Sequence, residues 1–150
     1  MYNEQKLTRG TVVWISFPYA NPGLNPHAAY GRRPALIITP DWVLEMSPTM
    51  IVYPITTSSD PKYSKFHPYI KVPGSMKSSF VMCEQPITVD KSIVESVAGC
   101  ITDDEMRYVE EAICYEHGIE EKRVYARSSN KPIDKEKLKL GIANVIDACL

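Results

Sequence analysis

Two stretches of the sequence place side chains able to grip a phosphate where an apolar strand begins or ends. Gly31-Arg32-Arg33-Pro34 leads into the apolar run Ala35-Leu36-Ile37-Ile38, and Pro54-Ile55-Thr56-Thr57-Ser58-Ser59 leaves another. A guanidinium forks onto phosphate oxygens through parallel N–H donors and stays charged at any working pH. Hydroxyls at a strand end can donate to the same oxygens. Each stretch also has a plainer reading: arginine as the partner of a structural carboxylate, and a Thr/Ser run as ordinary loop chemistry. Other routes to catalysis are poorly supplied. The chain has no G-x-G-x-x-G, no P-loop and no G-x-S-x-G. Its paired carboxylates fall in the acidic helix around Asp103-Asp104-Glu105, where capping explains them. His27, His67 and His117 lie 40 and 50 positions apart, and Cys83, Cys100, Cys114 and Cys149 contain no C-x-x-C. No local spacing suits a metal, so neither metal nor cofactor is expected.

The elements that must hold these residues follow from the pattern around them. The 150 residues make one domain's worth of chain, 44% apolar and 23% charged, which excludes global disorder. Residues 1–100 read as short strands. Thr11-Val12-Val13-Trp14-Ile15-Ser16-Phe17 is β-branched and aromatic and stops at Pro18; Pro34 to Thr39 is a short buried strand closed by Pro40-Asp41. Met50 to Ile55 is a third, whose Pro54 cannot donate to a ladder and so implies an edge or a bulge. Further strands are expected at 67–72, 79–84, 87–89 and 93–94. Many short strands between Pro/Gly loops point to a small closed or nearly closed barrel. Residues 18–33, with Pro22, Gly23, Pro26 and Gly31, form a connection too long for a hairpin, and a mobile lid is expected there. The second part is helical. Thr102-Asp103-Asp104-Glu105 is a capping box, with Met106, Val109, Ala112 and Ile113 on one face and Gly118 as the stop. Residues 120–127 can add a turn or two, and from Asp134 a stripe of Leu138, Ile142, Val145 and Cys149 makes another amphipathic helix.

The net charge of −1 hides an asymmetry. Residues 1–90 hold 8 Lys/Arg against 6 Asp/Glu, whereas residues 91–150 hold 9 against 12. Lys62, Lys65, Lys71 and Lys77 fall in a stretch without an acid, which reads either as solvated mixed surface or as a polyanion-binding face. Apolar runs such as Ala35 to Ile38 are far too short to cross a bilayer, and the first residues carry no signal-peptide core; a cytoplasmic address and reduced cysteines are the expectation.

Four segments together resemble the MazF/PemK family of toxin endoribonucleases. They are Arg9-Gly10-Thr11-Val12-Val13-Trp14, Gly31-Arg32-Arg33-Pro34-Ala35-Leu36-Ile37-Ile38, Ile51-Val52-Tyr53-Pro54-Ile55-Thr56, and Val81-Met82-Cys83-Glu84-Gln85-Pro86-Ile87-Thr88-Val89-Asp90-Lys91. The resemblance covers roughly residues 8–116, giving a barrel domain over 1–116 and a helical extension over 117–150. It implies a mainly β, SH3-like barrel with C-terminal helices, a homodimer, a small antitoxin as partner, and metal-independent cleavage of single-stranded RNA, mRNA above all. It also implies that Arg33 and Thr56 are catalytic, with RNA contacts from Arg32, Thr57, Lys62, Lys65 and Gln85. The ribose 2′-hydroxyl would attack the adjacent phosphate, leaving a cyclic phosphate and a 5′-hydroxyl. That chemistry needs no activated Ser or Cys; the protein supplies alignment and charge. An arginine is a poor proton acceptor, so the base is left open. Tyr19, Tyr30, Tyr53 and Tyr63 are candidates for stacking on unpaired bases. The sequence departs from the family pattern at Thr11, at Ala28-Ala29-Tyr30, and at Pro86-Ile87, where relatives often carry an arginine. The competing class is a protein-binding module on the same barrel, like the CcdB-type toxins that act on DNA gyrase, or an inert scaffold; neither requires Arg33 and Thr56 together.

Overall fold

The segment Thr11–Phe17 is β-branched and aromatic and buried along most of its length, with Ser16 exposed between buried Ile15 and Phe17, and it is the first strand, β1, of a curled antiparallel sheet. The computed structural model describes residues 6–18 and 27–119. Six more strands follow: β2 (Gly31–Ile37), β3 (Thr49–Thr56), β4 (Tyr69–Ile70), β5 (Ser79–Val81), β6 (Ile87–Asp90) and β7 (Ser96–Cys100). A short helix α1 (Asp41–Met46) joins β2 to β3, and α2 (Asp103–Glu116) follows β7. The sheet runs β4-β5-β3-β2-β1-β7, with β6 also paired to β3.

Both faces of the sheet are covered, which is why the Ala35-Leu36-Ile37 part of β2 reads as a continuous apolar run rather than an alternating one. One face holds Val12, Leu36, Tyr53, Ile55, Ile70 and Val81, and α2 lays Val109 and Ala112 against it. The other holds Val13, Ile15, Phe17, Ala35, Ile37, Val52 and Met82, with Leu44 of α1. Val109 is fully buried, worth about 1.5–3 kcal/mol for a side chain of its size.

The sheet is a half-barrel, and its end strands meet by packing. A Cβ on Gly99 of β7 would lie 2.8 Å from Pro73, just beyond β4, and Gly99 has φ +143. Only glycine fits that approach. The seam is braced by α2. Thr102 accepts from the Glu105 amide at 3.2 Å, and Glu105 Oε2 accepts from the Thr102 amide at 2.8 Å. The second oxygen of that carboxylate accepts from the Lys71 amide at 2.7 Å, so one capping-box residue also ties α2 to the end of β4. Arg9 works similarly at the other end. Its amide donates to Asp41 Oδ1 at 2.7 Å and its guanidinium to Glu110 at 2.7 Å.

Several expectations need correction. Strand β2 begins at Gly31, because Arg32 and Arg33 pair with Ser16 and Ile15 of β1; a ladder is built by backbone, so polar side chains do not end it. The connection expected over 18–33 is therefore shorter, and residues 19–26 lie outside the described residues, as does Tyr19. Pro54 is buried inside the sheet rather than at its edge. β3 changes partner there, from β6, whose last pair is Val52 with Ile87, to β5, which starts with Ile55 and Val81. No ladder donor is required at that junction, and the Pro54 carbonyl accepts from the Met82 amide at 2.9 Å. The strand expected at 93–94 is displaced. Asp90 Oδ1 accepts from the Ser92 amide at 2.8 Å and folds Lys91–Ile93 into a 3-10 turn, so the strand forms later, at β7. The helices expected within 120–150 also lie outside the described residues.

Candidate functional site

Arg32 and Arg33 are adjacent on a strand, so their side chains leave opposite faces, and their surroundings differ accordingly. Arg32 is neutralised. Its Nε donates to Glu95 Oε2 at 2.6 Å, and its guanidinium lies 4.6 Å over the Trp14 ring. Glu95 also accepts from Ser16 Oγ at 2.7 Å. That hydrogen bond first, and Arg32 second, hold the Glu95 carboxyl below its ordinary value. Arg33 is half-buried, donates through Nε to the Tyr30 carbonyl at 3.1 Å and sits 5.7 Å from the Tyr30 ring. Among the described residues no carboxylate forms an ion pair with it. Its charge is uncompensated at the mouth of a strand.

Thr56 ends β3. The β2–β3 ladder pairs Ala35 with Pro54. That pair is the last of the ladder, and Arg33 and Thr56 each lie two residues beyond it on their own strands. Thr56 then pairs with Phe80 of β5, which fixes where its hydroxyl emerges. That hydroxyl closes a tight turn, donating to the Ser58 carbonyl at 3.1 Å and accepting from the Ser58 amide at 3.3 Å.

The other residues singled out from the sequence are spread around this pair. Thr57 is exposed on the turn. Lys62 pairs with Asp60 at 3.6 Å and lies 4.9 Å over Tyr63, whose hydrogen bond raises the Lys62 pKa above its ordinary value. Lys65 lies 5.2 Å over Tyr115. Gln85 clamps the loop ahead of β2: its Oε1 accepts from the Ala29 amide at 2.7 Å and its Nε2 donates to the His27 carbonyl at 2.9 Å. Both ends of that amide are used by backbone. Ile87 packs against the core face of Ala35 and Met82 and lines a cavity of about 320 Å³ with Phe17 and Ala29. Of the candidate stacking residues, Tyr30 and Tyr63 are exposed. Tyr53 is buried, which raises its hydroxyl to about 12, so it belongs to the core.

One group was invisible in the sequence. His67, buried, receives a contact on each ring nitrogen: Ser59 Oγ lies 2.7 Å from Nδ1, and Glu84 lies 2.8 Å from Nε2 through both carboxylate oxygens. The three residues come from separate segments that β3, β4 and β5 bring together, and no local spacing announces them. They line a cavity of about 730 Å³ with Tyr63, Tyr115 and Glu116 among its walls. The 62–77 stretch therefore does not border a uniformly basic groove, because Asp60, Glu84 and Glu116 face the same space. Among the described residues no group of three His, Cys, Asp or Glu side chains is placed to hold a metal ion, and no helix is long and apolar enough to cross a membrane.

A curled antiparallel half-barrel with one helix laid on its face is the architecture of the MazF toxins. MazF from Deinococcus radiodurans matches with a TM-score of 0.62 at 20% identity, over 77% of this chain and 99% of that one. The Mycobacterium tuberculosis toxin MazF-mt6 matches with a TM-score of 0.60 at 19% identity, over 73% and 98%. An endoribonuclease in complex with its cognate antitoxin, from a mycobacterial species, matches with a TM-score of 0.58 at 16% identity, over 76% and 97%. No significant match was found among the curated proteins. The family model of the PemK-like, MazF-like toxins of type II toxin–antitoxin systems matches residues 8–116, and the chain belongs to that family.

Proposed function

We propose that this toxin is a metal-independent endoribonuclease that cleaves single-stranded mRNA at a short sequence, with Arg33 and Thr56 at the scissile phosphate. The observation that carries this reading is the contrast between the two arginines. Arg32 is spent on Glu95 and Trp14, whereas Arg33 has no carboxylate partner among the described residues and stands, like Thr56, two residues past the last β2–β3 pair, Ala35 with Pro54. An uncompensated guanidinium held by a backbone carbonyl is available to a phosphate. It stabilises the charge that builds on phosphorus when the 2′-hydroxyl attacks. Thr56 donates to a non-bridging oxygen once its turn hydrogen bond to Ser58 is exchanged for it. The nucleophile belongs to the RNA, so the protein contributes alignment and charge. Thr57, Lys62 and Lys65 border the path of the strand, where exposed Tyr30 and Tyr63 offer faces to unstacked bases. Gln85 serves that path by fixing the loop that carries Tyr30. Ile87, packed against the core, leaves base reading without the arginine common in relatives.

The protein acts in the cytoplasm as a homodimer and is neutralised by a small antitoxin. Solved relatives in complex with antitoxins support the partner. Exposed Trp42 and Met46 on α1 give a second copy apolar surface to cover. The test is incubation of the purified protein with total RNA in EDTA, followed by mapping of new 5′ ends. Cleavage at a recurring short motif is expected; intact RNA, or cleavage only after magnesium or zinc is restored, would refute the reading.

A further inference from the structure

The cleavage proposed above needs a group to take the 2′-hydroxyl proton, and neither Arg33 nor Thr56 can. We propose that Ser59 relays that proton to His67, with Glu84 holding the imidazole that receives it; this inference rests on the ribonuclease reading.

The geometry carries it in three steps. An ionised carboxylate only accepts, so the 2.8 Å contacts to both Glu84 oxygens place a proton on His67 Nε2. In the neutral ring Nδ1 is then the acceptor, and Ser59 Oγ, at 2.7 Å, donates to it. A hydroxyl bonded to an imidazole whose far nitrogen is fixed by a carboxylate is the arrangement that makes a hydroxyl able to pass a proton inward. The ring cannot turn away: the His67 amide donates to the Tyr63 carbonyl at 2.8 Å, and Tyr63 and Phe66 flank the ring with centroids 5.2 Å away. Burial leaves His67 only 7% exposed, so RNA reaches it through Ser59 rather than directly.

Placement supports the same conclusion. Ser59 follows Ser58, the residue whose amide and carbonyl both bond Thr56. The relay therefore starts one peptide, about 3.8 Å between Cα atoms, beyond the turn on which Thr56 stands. His67 lies beside Glu84, whose neighbour Gln85 clamps the loop leading to Arg33. The charged and titratable groups around His67 are Glu84 and Tyr63 in contact, and Asp60, Glu116, Tyr115 and His27 across the cavity.

The step balances without a further reactant. The O2′–P bond forms and the P–O5′ bond breaks. The 2′-hydroxyl proton passes to Ser59 Oγ while the proton of Ser59 passes to His67 Nδ1. The departing 5′-oxygen takes a proton from water, and the imidazolium returns its own to solvent before the next turnover. Glu84 stays ionised throughout.

The test is single-turnover cleavage of an oligonucleotide carrying the mapped site, in EDTA, across the pH range in which histidine titrates. Wild type is compared with Ser59→Ala, Ser59→Thr, His67→Gln and Arg33→Ala, each checked by thermal melting. Ser59→Ala and His67→Gln should lose about 10²-fold in rate, within the range of general base catalysis. Both should lose the acid limb of the wild-type profile, since the relay starts only with Nδ1 unprotonated. Ser59→Thr, which keeps the hydroxyl, should restore rate and limb. Ser59 is small and partly exposed, so its alanine variant decides the matter even if His67→Gln unfolds. A folded Ser59→Ala protein with wild-type rate, or with reduced rate and an unchanged acid limb, overturns the relay. If Arg33→Ala is inactive in the same experiment, the ribonuclease reading survives that failure. A wild-type protein that cleaves no RNA overturns both.

Discussion

Replacing each of the two adjacent arginines by alanine should damage different properties, and the structure sets the sizes. Arg32 holds an ion pair with Glu95 whose side chains are 54% and 37% exposed; discounted for solvent screening, such a pair is worth at most about 1 kcal/mol. Its position over Trp14 adds about 0.5–1 kcal/mol. Arg32→Ala should therefore cost about 0.5–2 kcal/mol of stability, a fall of a few degrees in Tm for a domain of this size. Activity should fall by less than about tenfold, because Glu95 already spends the charge. Arg33 has only the Tyr30 carbonyl and a loose approach to its ring. Arg33→Ala should change stability by no more than about 0.5 kcal/mol and lower the cleavage rate by about 10²–10³, or ~2.7–4 kcal/mol of transition-state stabilisation. Thermal melts and single-turnover rates on the same preparations read both quantities. A reversed pattern, with Arg32→Ala inactive and Arg33→Ala active but unstable, would refute the assignment of roles.

Other perturbations follow from single contacts. Gln85→Ala removes both hydrogen bonds that hold the loop at His27 and Ala29; hydrogen exchange should show lost protection at the Ala29 amide, and unchanged protection would mean the clamp does not operate in solution. Gly99→Ala forces a Cβ to within 2.8 Å of Pro73 at a φ that side chains rarely adopt, and should destabilise by about 1–3 kcal/mol in a denaturant titration. The Glu95 carboxyl is held below its ordinary value by Ser16 and Arg32. The stability it contributes is therefore present above the unfolded-state pKa and is lost as pH falls through the lower folded one. The Tm difference between wild type and Glu95→Gln should shrink across that acidic window; a difference constant with pH would contradict it.

The parts of this molecule that were legible in the sequence are those where local pattern and tertiary fate agree. β1 is a β-branched and aromatic run stopped by Pro18, and the Thr102–Glu105 box marks the start of α2. The stretches 31–34 and 54–59 stand out because each flanks an apolar run, whereas Arg33 and Thr56 within them are singled out only by the resemblance to the MazF/PemK family. What could not be read was set by pairing. α1 is six residues long, too short to show a helical period. β7 carries Gly99 and Ala98 where a strand pattern would want β-branched residues, and it is a strand because β1 offers it a ladder and Pro73 requires a glycine. Gly31, Arg32 and Arg33 look like loop because their side chains are not apolar, yet β1 pairs with all of them. The Ser59–His67–Glu84 cluster joins residues 8 and 17 positions apart, and only the fold brings them within hydrogen-bond distance.

The central claim is that the RNA supplies its own nucleophile to a phosphate held by Arg33. Its most direct test is an oligonucleotide containing the mapped site with a single 2′-deoxy substitution at the nucleotide 5′ to the scissile bond, incubated with the protein in EDTA. The account predicts that the all-ribose oligonucleotide is cut to fragments bearing a 2′,3′-cyclic phosphate and a 5′-hydroxyl, and that the substituted one stays intact. Cleavage of the deoxy-substituted strand, or products carrying a 5′-phosphate, would contradict it.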